Sequence, residues 1–391
     1  MVSIARKNLF QDLPRFIVAQ AGIMFSVGLV TIQIGILKGF TRSSTLLIEN
    51  ANADIWVASE ELRHLELTLP FEYKKLAQAQ QVKGVDRAEA IISQSTVWRD
   101  NSSQIAPIRI IGFDPQDTLF RPQTLLAGTW SDIQQPYKVF VDKSDLELLG
   151  VTETGDEADI GSFKGQITGI TSGTRSIVAS PYVFTSLPNA TAYLNSAIAT
   201  PTNTPPDPPA LTDNNWITFI LIKAKPAENL QVLKRRLNEA LPGTQAFTQT
   251  ELIELTQNYW QQSTGVGYIL GLGAVVGIVV GTVVVGQILY SSVTDHLKEF
   301  GTLKAMGSSD WFIYRVILEQ ALWMAVLGYL PGMSLCLGLG AWTIKAQAIQ
   351  ILISPTTAAG VLVVTIAMCS GAAIFAIQKV TRLDPALVFQ S

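Results

Sequence analysis

Charged residues make up only 15% of the 391 residues, and four long stretches contain none at all. These charge-free stretches are Phe16–Leu37, Gly265–Tyr290, Gln320–Ile344 and Ala358–Ile377. A helix rises about 1.5 Å per residue and a hydrocarbon core is about 30 Å thick, so each stretch is long enough to cross a bilayer once. Few soluble domains bury four helices that are apolar all round. The sequence therefore predicts a membrane protein with four transmembrane α-helices.

Cysteine and histidine are also scarce, and their positions exclude several kinds of site. Cys336 and Cys369, the two cysteines, both lie in predicted spans, which leaves none in the large polar segment for a disulfide. The two histidines, His64 and His296, fall on opposite sides of the predicted membrane. This excludes a two-histidine metal site and a Ser-His-Asp triad, so we predict no catalytic, cofactor or metal residue. We interpret His64 as a solvated strand residue.

The chain also lacks a GxxxxGK[ST] phosphate-binding loop. If ATP drives this protein, another chain is expected to bind it together with Mg²⁺. Residues 38–264 contain 19 basic and 25 acidic residues, a net charge of −6. Nucleic acid requires a basic face, so this acidic balance argues against it as a partner.

Among the short segments that flank the predicted spans, basic residues cluster in three: 1–15, 291–319 and 378–391. The eight that we count there are Arg6, Lys7, Arg15, Lys298, Lys304, Arg315, Lys379 and Arg382. By the positive-inside tendency these segments are cytoplasmic, and so are both termini. Lys38 and Arg42 lie on the opposite side of the membrane in this arrangement, and they reduce the charge difference on which the orientation is based.

The outer side then holds a large domain, 38–264, and a short loop, 345–357. The first span is longer than the apolar region of a signal peptide, and we predict an uncleaved anchor preceded by a cytoplasmic helix at 1–15. The N-in, C-in arrangement places 291–319 inside as a charged helical hairpin and 378–391 inside as a tail.

The large outer domain is predicted to be α+β, with helices on one face of a sheet. Residues 38–113 and 216–264 share a strand-helix order and form one lobe. Residues 114–215 contain short strand-like runs separated by glycine, and form an inserted β-rich lobe. Two runs are predicted helices, Phe71–Val82 and Glu228–Leu241, and the second places Leu230, Leu233, Leu237 and Leu241 on one stripe. The strand-like runs are Asp54–Ala58, Ala90–Trp98, Ile105–Gly112, Lys138–Val141, Gly165–Ile170, Ile177–Ala179 and Trp216–Lys223. The proline-rich stretch 199–215 is interpreted as a solvated connector.

The second span has a face that is almost without side chains. Gly273, Gly277 and Gly281 repeat every four residues. Such a face allows helix backbones to approach closely, so these three glycines are predicted to pack against another helix, in the same chain or in a dimer.

The connection between the second and third spans contains the most specific sequence motif. Its run KEFGTLKAMGSSDWFI, Lys298–Ile313, resembles the segment that follows the second span in the FtsX and MacB superfamily of ABC-system membrane subunits. Ala53–Val57 and Arg382–Phe389 extend the resemblance. Gln33 and Gly35 in the first span are similar to the DevC-type branch, the permeases of tripartite exporters.

The resemblance implies a porter-like outer lobe and a permease that works with a separate ABC ATPase. In that family two permease chains form a homodimer through their first two spans in the inner membrane. A periplasmic adaptor and an outer-membrane channel then carry a lipid-like or amphipathic substrate outward. The positions implied to contact the ATPase are Lys298, Glu299, Gly301, Lys304, Ala305, Met306 and Gly307.

Three other functions remain open from the sequence. An FtsX-like regulator would use the same machinery to activate a cell-wall hydrolase. A lipoprotein-releasing permease would extract lipoproteins from the membrane. A membrane-anchored sensor or adhesion domain would have no ATPase partner.

Overall fold

The computed structural model describes residues 13–122, 124–176, 179–196, 206–295, 299, 302, 306, 308–345 and 351–381. The described residues divide into two compact units. One unit contains the residues up to Gly39 and from Gly265 onward, and the other is Phe40–Thr264.

The α-helices are numbered along the chain. They are α1 (Leu13–Ser43), α2 (Leu46–Asn50), α3 (Lys74–Gln80), α4 (Leu187–Asn195), α5 (Leu230–Ala240), α6 (Gln249–Gln262), α7 (Val266–Asp295), α8 (Asp310–Lys345) and α9 (Pro355–Thr381). Four of them, α1, α7, α8 and α9, are long and apolar enough to cross a membrane. They contain the four charge-free stretches apart from Gly265, which directly precedes α7.

Helix α8 differs from the prediction at its start. It begins at Asp310, ten residues before the span predicted at 320, so the second helix of the predicted hairpin runs without a break into the third span. The charges of Arg315 and Glu319 concealed this continuity, because a charge-free window ends at the first charge rather than at the end of the helix. The Phe312 N–H donates to the Ser309 carbonyl at 3.0 Å, which closes the first turn.

The strands of the second unit are also numbered along the chain. They are β1 (Ile55–Ser59), β2 (Phe71–Glu72), β3 (Val85–Arg99), β4 (Ile105–Phe113), β5 (Thr124–Ala127), β6 (Lys138–Asp142), β7 (Glu157–Ile160), β8 (Phe163–Ser172), β9 (Tyr182–Ser186), β10 (Trp216–Ile217), β11 (Phe219–Ala224) and β12 (Thr244–Thr248). Strands β2 and β10 form a two-stranded ribbon, and the other ten form one sheet in the order β12-β1-β11-β3-β4-β9-β6-β8-β5, with β7 joining β3 and β8.

Strand β3 joins the two parts of this sheet. Its first half pairs with β11 up to Ile91, and its second half pairs with β4 from Ile92 onward. From there the pairings β3-β4-β9-β6-β8-β7 return to β3, where Trp98 pairs with Ile160, so these six strands form a closed ring. Strand β4 therefore belongs with the inserted segment. The division expected between residues 113 and 114 does not correspond to a break in the sheet.

Helices cover both faces of the β1-β11-β3 part of the sheet, where the sequence predicted helices on one face. Leu233 and Leu237 of α5 pack on one face with Ile55 of β1. Leu252 of α6 packs on the other face with Trp56. Every residue of β1 is buried, and a strand buried on both sides requires a cover on each.

Local capping explains where several helices begin. The Thr248 hydroxyl accepts from the Glu251 N–H, and the Glu251 carboxylate accepts from the Thr248 N–H at 2.9 Å, which starts α6. The Asn229 side chain accepts from the N–H groups of Gln231 and Val232 and starts α5. Ser186 caps α4, a helix that the sequence did not predict within the β-rich segment.

Other predicted elements changed at their edges. Phe71–Glu72 forms strand β2 rather than the first turn of a helix, and α3 begins at Lys74. Of the strand-like run 177–179, residues 177 and 178 lie outside the described residues and Ala179 is not in a strand. The described part of the connector, 206–215, contains neither helix nor strand.

Candidate functional site

The segment predicted to contact an ATPase is described only in part. Glu299 and Met306 are both exposed, with 71% of the Met306 surface accessible. Five of the predicted contact positions lie outside the described residues: Lys298, Gly301, Lys304, Ala305 and Gly307. No side-chain geometry is therefore assigned to those five.

Trp311 extends this exposed surface and was not among the predicted contact residues. Its side chain is 75% exposed, and Phe312 beside it is 40% exposed. Large aromatic side chains contribute strongly when they become buried at an interface. The sequence shows Trp-Phe directly after the Ser-Ser-Asp that leads into α8, but the exposure of the two rings depends on where that helix begins.

The glycines of α7 pack against α1 of the same chain. A Cβ atom at Gly277 would lie 3.2 Å from Leu29 Cδ2, and one at Gly273 would lie 2.8 Å from the Gln33 side-chain carbon. At Gly281 it would meet Ser26 of α1. The bare face of α7 is therefore occupied by α1 within one chain.

Helix α8 offers α1 a second bare face. A Cβ atom at Gly328 would lie 2.6 Å from Ile23 Cγ2, and one at Gly332 would lie 3.2 Å from Val27 Cγ1. Between α1 and α7, the Ser26 hydroxyl donates to the Gly277 carbonyl at 2.9 Å. Helix α1 is thus held in the membrane unit mainly by close packing on two glycine faces.

Two glutamines of α1 face these glycines. The Gln20 Oε1 lies 3.0 Å from the Cβ position of Gly328, and the Gln33 amide lies against Gly273. Both amide atoms of Gln20 and the Gln33 Oε1 are buried without a hydrogen-bond partner among the described residues. A buried polar group without a partner lowers stability by about 1–3 kcal/mol. These amides therefore offset part of the stability that the packing of this interface provides.

Polar contacts tie α1 at its two ends. The Lys38 ammonium donates to the Thr357 hydroxyl at 2.7 Å and to the Ser354 hydroxyl at 3.3 Å, at the start of α9. At the other end Arg15 forms an ion pair with Asp295, the last residue of α7. Both side chains of that pair are about half exposed, so it contributes little to stability. Lys38, which opposes the charge asymmetry, has local partners in the membrane unit.

His64 is buried, and its interpretation as a solvated strand residue is wrong. Its side chain is 6% exposed and stacks on Tyr259 with ring centroids 4.3 Å apart. Trp260 meets His64 edge-on at 5.3 Å and also meets Phe40 at 5.6 Å. The partners belong to α6, about 195 residues further along the chain, so the sequence near His64 contained no sign of them.

The environment of His64 keeps its imidazole neutral. Burial, with a smaller effect of the Arg109 charge, lowers the pKa of His64 to about 4. Burial also raises the pKa of Glu66, although Arg109 and the Tyr182 hydroxyl, which donates to Glu66 at 2.9 Å, act in the opposite direction. Within the described residues, no group of three or more His, Cys, Asp or Glu side chains could hold a metal ion.

The fold and its helices define a class: a multi-pass membrane protein with a large extramembrane α/β domain between the first two spans. Comparison with family models makes the assignment more specific. The model described as MacB-like periplasmic core domain matches residues 16–240, and the model described as FtsX-like permease C-terminal matches residues 271–385. The first match covers more than half of the chain. The chain belongs to the MacB-like and FtsX-like family of ABC transporter permeases.

Several curated proteins are similar over part of the chain. The pyoverdine export ATP-binding/permease protein PvdT of Pseudomonas syringae pv. syringae is 26% identical over 180 residues, 44% of this chain and 27% of that protein. A probable syringafactin export ATP-binding/permease protein, SyfD, of the same organism is 26% identical over 133 residues, 33% of this chain and 20% of that protein. The probable export protein MacB of Pseudomonas entomophila is 31% identical over 98 residues, 25% of this chain and 15% of that protein. The chain spans about a quarter or less of the length of these relatives.

Two solved structures show a weak likeness to part of the chain. The periplasmic region of MacB from Actinobacillus actinomycetemcomitans is 12% identical, with a TM-score of 0.37 over 54% of this chain and 96% of that chain. The extracellular domain of the transporter YknZ from Gram-positive bacteria is 12% identical, with a TM-score of 0.34 over 50% of this chain and 99% of that chain.

Replacement of His64 by phenylalanine is expected to reduce the loss of stability in acid. The folded pKa of His64 is about 4 and the unfolded pKa is about 6.5, so the unfolded chain binds the proton first as the pH falls. The neutral imidazole therefore contributes to the free energy of unfolding fully above pH 6.5, and this contribution is lost between pH 6.5 and 4. At pH 5 the loss amounts to about 1–2 kcal/mol after allowance for solvent screening. Thermal midpoints of both full-length proteins from pH 7.5 to 4.5 should diverge accordingly, whereas parallel curves would contradict the assignment.

A leucine at Gly281 is expected to disrupt the packing of α7, whereas a leucine at Gly271 on the same helix is not. A leucine side chain at position 281 would overlap with the side chains of Ser26 and Met368, but no atom lies within 4 Å of the Cβ position at Gly271. Overpacking typically costs about 1–3 kcal/mol. We expect a lower thermal midpoint in detergent for Gly281→Leu alone. Equal midpoints for the two variants would show that the bare face is not a tight contact.

Proposed function

We propose that this chain is the membrane subunit of a DevC-type tripartite ABC exporter in the inner membrane. ATP and Mg²⁺ are bound by a separate ATPase subunit, and the permease converts hydrolysis into motion of its periplasmic domain. The observation that carries the proposal is the paired family match, with a MacB-like periplasmic core and an FtsX-like permease region in one chain. The relatives named for pyoverdine and syringafactin export support an export function.

The ATPase would bind the segment 298–307 and the exposed start of α8. Lys298 and Glu299 supply charge-assisted contacts, and Gly301 and Gly307 allow close approach. The exposed side chains of Glu299, Met306 and Trp311 support this, since they offer both charge and apolar surface in a short stretch.

Motion would pass along α1 and α7 to the periplasmic domain. Helix α1 is one unbroken helix to Ser43, and α7 follows α6 after three residues. Near their outer ends, Phe40 contacts Trp260 of α6. The smooth glycine faces support a sliding or rocking movement, because few directional bonds need to break.

Two copies of the permease would form the working homodimer in contact with membrane lipids. The termini are cytoplasmic in this proposal, and the periplasmic domain engages an adaptor that leads to an outer-membrane channel. The exported substrate is lipid-like or amphipathic. No charged side chain lies at the centre of a span, which disfavours an ion or proton path through the permease.

The variant Glu299→Lys is expected to abolish transport-coupled ATP hydrolysis and to leave membrane insertion intact, because charge reversal replaces attraction to the ATPase by repulsion. Hydrolysis by the purified permease–ATPase complex in nanodiscs should fall at least tenfold. Glu239→Lys is the matched control, since Glu239 is exposed on α5 in the periplasmic domain and should be neutral. Normal hydrolysis and export by Glu299→Lys would remove the coupling assignment.

The variant Trp311→Ala is expected to weaken capture of the ATPase subunit in detergent by about tenfold, because the aromatic ring loses its burial at the interface. Trp342→Ala is a close control, since Trp342 is 65% exposed near the other end of α8. Pull-down titrations with the purified ATPase measure both. Equal losses in the two variants would indicate a general effect on α8 rather than a contact at its start.

A further inference from the structure

A cleft opens in the periplasmic domain at the place where β3 exchanges partners. Ile91 is the last residue of β3 to pair with β11, and Ile92 is the first to pair with β4. Thr218 fixes this point: its N–H donates to the Ile91 carbonyl at 2.8 Å, and its hydroxyl accepts from the Ser93 N–H at 2.9 Å. Before Thr218 the chain leaves the sheet, since Trp216 pairs instead with Glu72 in the β2-β10 ribbon.

The walls of the cleft are fixed by close packing and by backbone hydrogen bonds. On one side, α4 lies so near the sheet that a Cβ atom at Gly112 would be 2.5 Å from the Ala190 Cβ. On the other side, the Tyr73 N–H donates to the Asn215 carbonyl at 2.8 Å and extends the ribbon. The result is a preformed cavity of about 360 Å³, within the size range of small-molecule sites.

The lining of the cleft combines apolar surface with carboxamides and contains no charged residue. The apolar members are Leu69, Pro70, Ile92, Leu194 and Trp216, and the polar members are Gln94, Thr191, Asn195 and Asn215. Leu69 and Trp216 are 54% and 55% exposed, so two large apolar side chains at the cavity remain half in water. A ligand with an apolar part would remove that surface from water.

The amides are available to a ligand. The Asn215 Oδ1 accepts from the N–H and the hydroxyl of Thr212 at 2.6 and 2.9 Å, which leaves its NH₂ group to donate elsewhere. Gln94 and Asn195 form no side-chain hydrogen bond with the described part of the chain. Carboxamides both donate and accept, and they suit hydroxyl or amide groups rather than ions.

A second cavity of similar volume gives a useful contrast. Its wall includes Asp114, and Asp114, Asp117 and Asp213 all raise the pKa of the lining residue Tyr73, after the larger effect of burial. That cavity lies in an acidic field and would favour a cation. The cleft beside Trp216 has no acidic or basic residue in its lining and therefore has no such preference.

We propose that the Trp216 cleft binds a neutral amphipathic molecule, with an apolar chain or ring against Trp216 and Leu69 and a hydroxyl- or amide-bearing head at the carboxamides. The proposal deepens the proposed export function, on which its physiological meaning rests, by assigning the periplasmic domain a recognition site for part of an amphipathic substrate. A cleft of this size takes only a portion of a large lipid-like molecule.

Binding can be measured on the full-length chain in nanodiscs by ligand-detected NMR, with empty nanodiscs subtracted. The neutral probes are hexyl β-D-glucoside and N-hexanoylglycinamide, and the charged probes of equal chain length are hexanoate and hexylammonium. We expect saturable binding of at least one neutral probe and at least tenfold weaker binding of both charged probes. The better neutral probe tells whether the head is hydroxyl-rich or amide-rich.

Three variants locate the binding. Trp216→Ala should abolish it, and Gln94→Leu should weaken it at least fivefold, because that change keeps the bulk but removes the amide. Leu126→Ala is the control, since Leu126 is 52% exposed on β5 and does not line the cleft. Absence of saturable binding, equal binding of charged probes, or unchanged binding by Trp216→Ala would each overturn the proposal.

The same preparation separates this proposal from the proposed function. Probe binding without ATP-dependent export by the reconstituted permease and its partner subunits would remove the export function and keep the cleft. Export that is intact in Trp216→Ala, together with no probe binding by the original chain, would remove the cleft and keep the export function.

Discussion

The position of α1 in the membrane unit depends on its close approach to two other helices, α7 and α8. Lipid gives no hydrophobic drive for helices to associate, so contact between shapes must supply it. Glycines on α7 and α8 make this possible, since a Cβ atom at Gly277 or Gly332 would already touch α1. Directional bonds are few along this contact, with Ser26 to Gly277 as the example near its middle. An interface of this kind resists separation more than it resists sliding, which suits the transmission of motion proposed for α1.

In the periplasmic domain, strand β3 holds the two parts of the sheet together. Because one unbroken strand belongs both to the α/β sheet and to the closed ring, the two parts cannot separate without losing its ladder. The exchange of partners at Ile91 and Ile92 also forces the β2-β10 ribbon away from the sheet, and this creates the cleft. A topological constraint therefore provides a preformed binding geometry without a dedicated loop. Trp216 is about half exposed, so the fold leaves part of its apolar ring in contact with solvent at the cleft.

The parts of the structure that local composition determines were predictable from the sequence. The spans, the leucine stripe of α5 and the acidic outer domain follow from charge and periodicity. The closed ring, the second helical layer and the burial of His64 were not predictable, because each depends on residues far apart in sequence, such as His64 and Tyr259. The capping box at Thr248 and Glu251 was readable in the sequence, since a Thr followed three residues later by a Glu is its pattern. For the candidate site, the sequence identified the bare glycines but not Trp311, whose exposure depends on where α8 begins.

In the proposed coupling, the contacts along α1 differ in strength in a way that favours transmission toward the periplasm. Where α1 begins, Arg15 and Asp295 form an exposed ion pair worth about 0–1 kcal/mol, so that end can be displaced at small cost. In the middle, the glycine faces hold α1 close to α7 and α8. Near the end of α1, Phe40 meets Trp260, which in turn meets His64, and burial keeps that imidazole neutral near pH 7 because its pKa is about 4. His64 therefore brings no charge into this group of aromatic rings near neutrality, and the contact between the rings is one of packing.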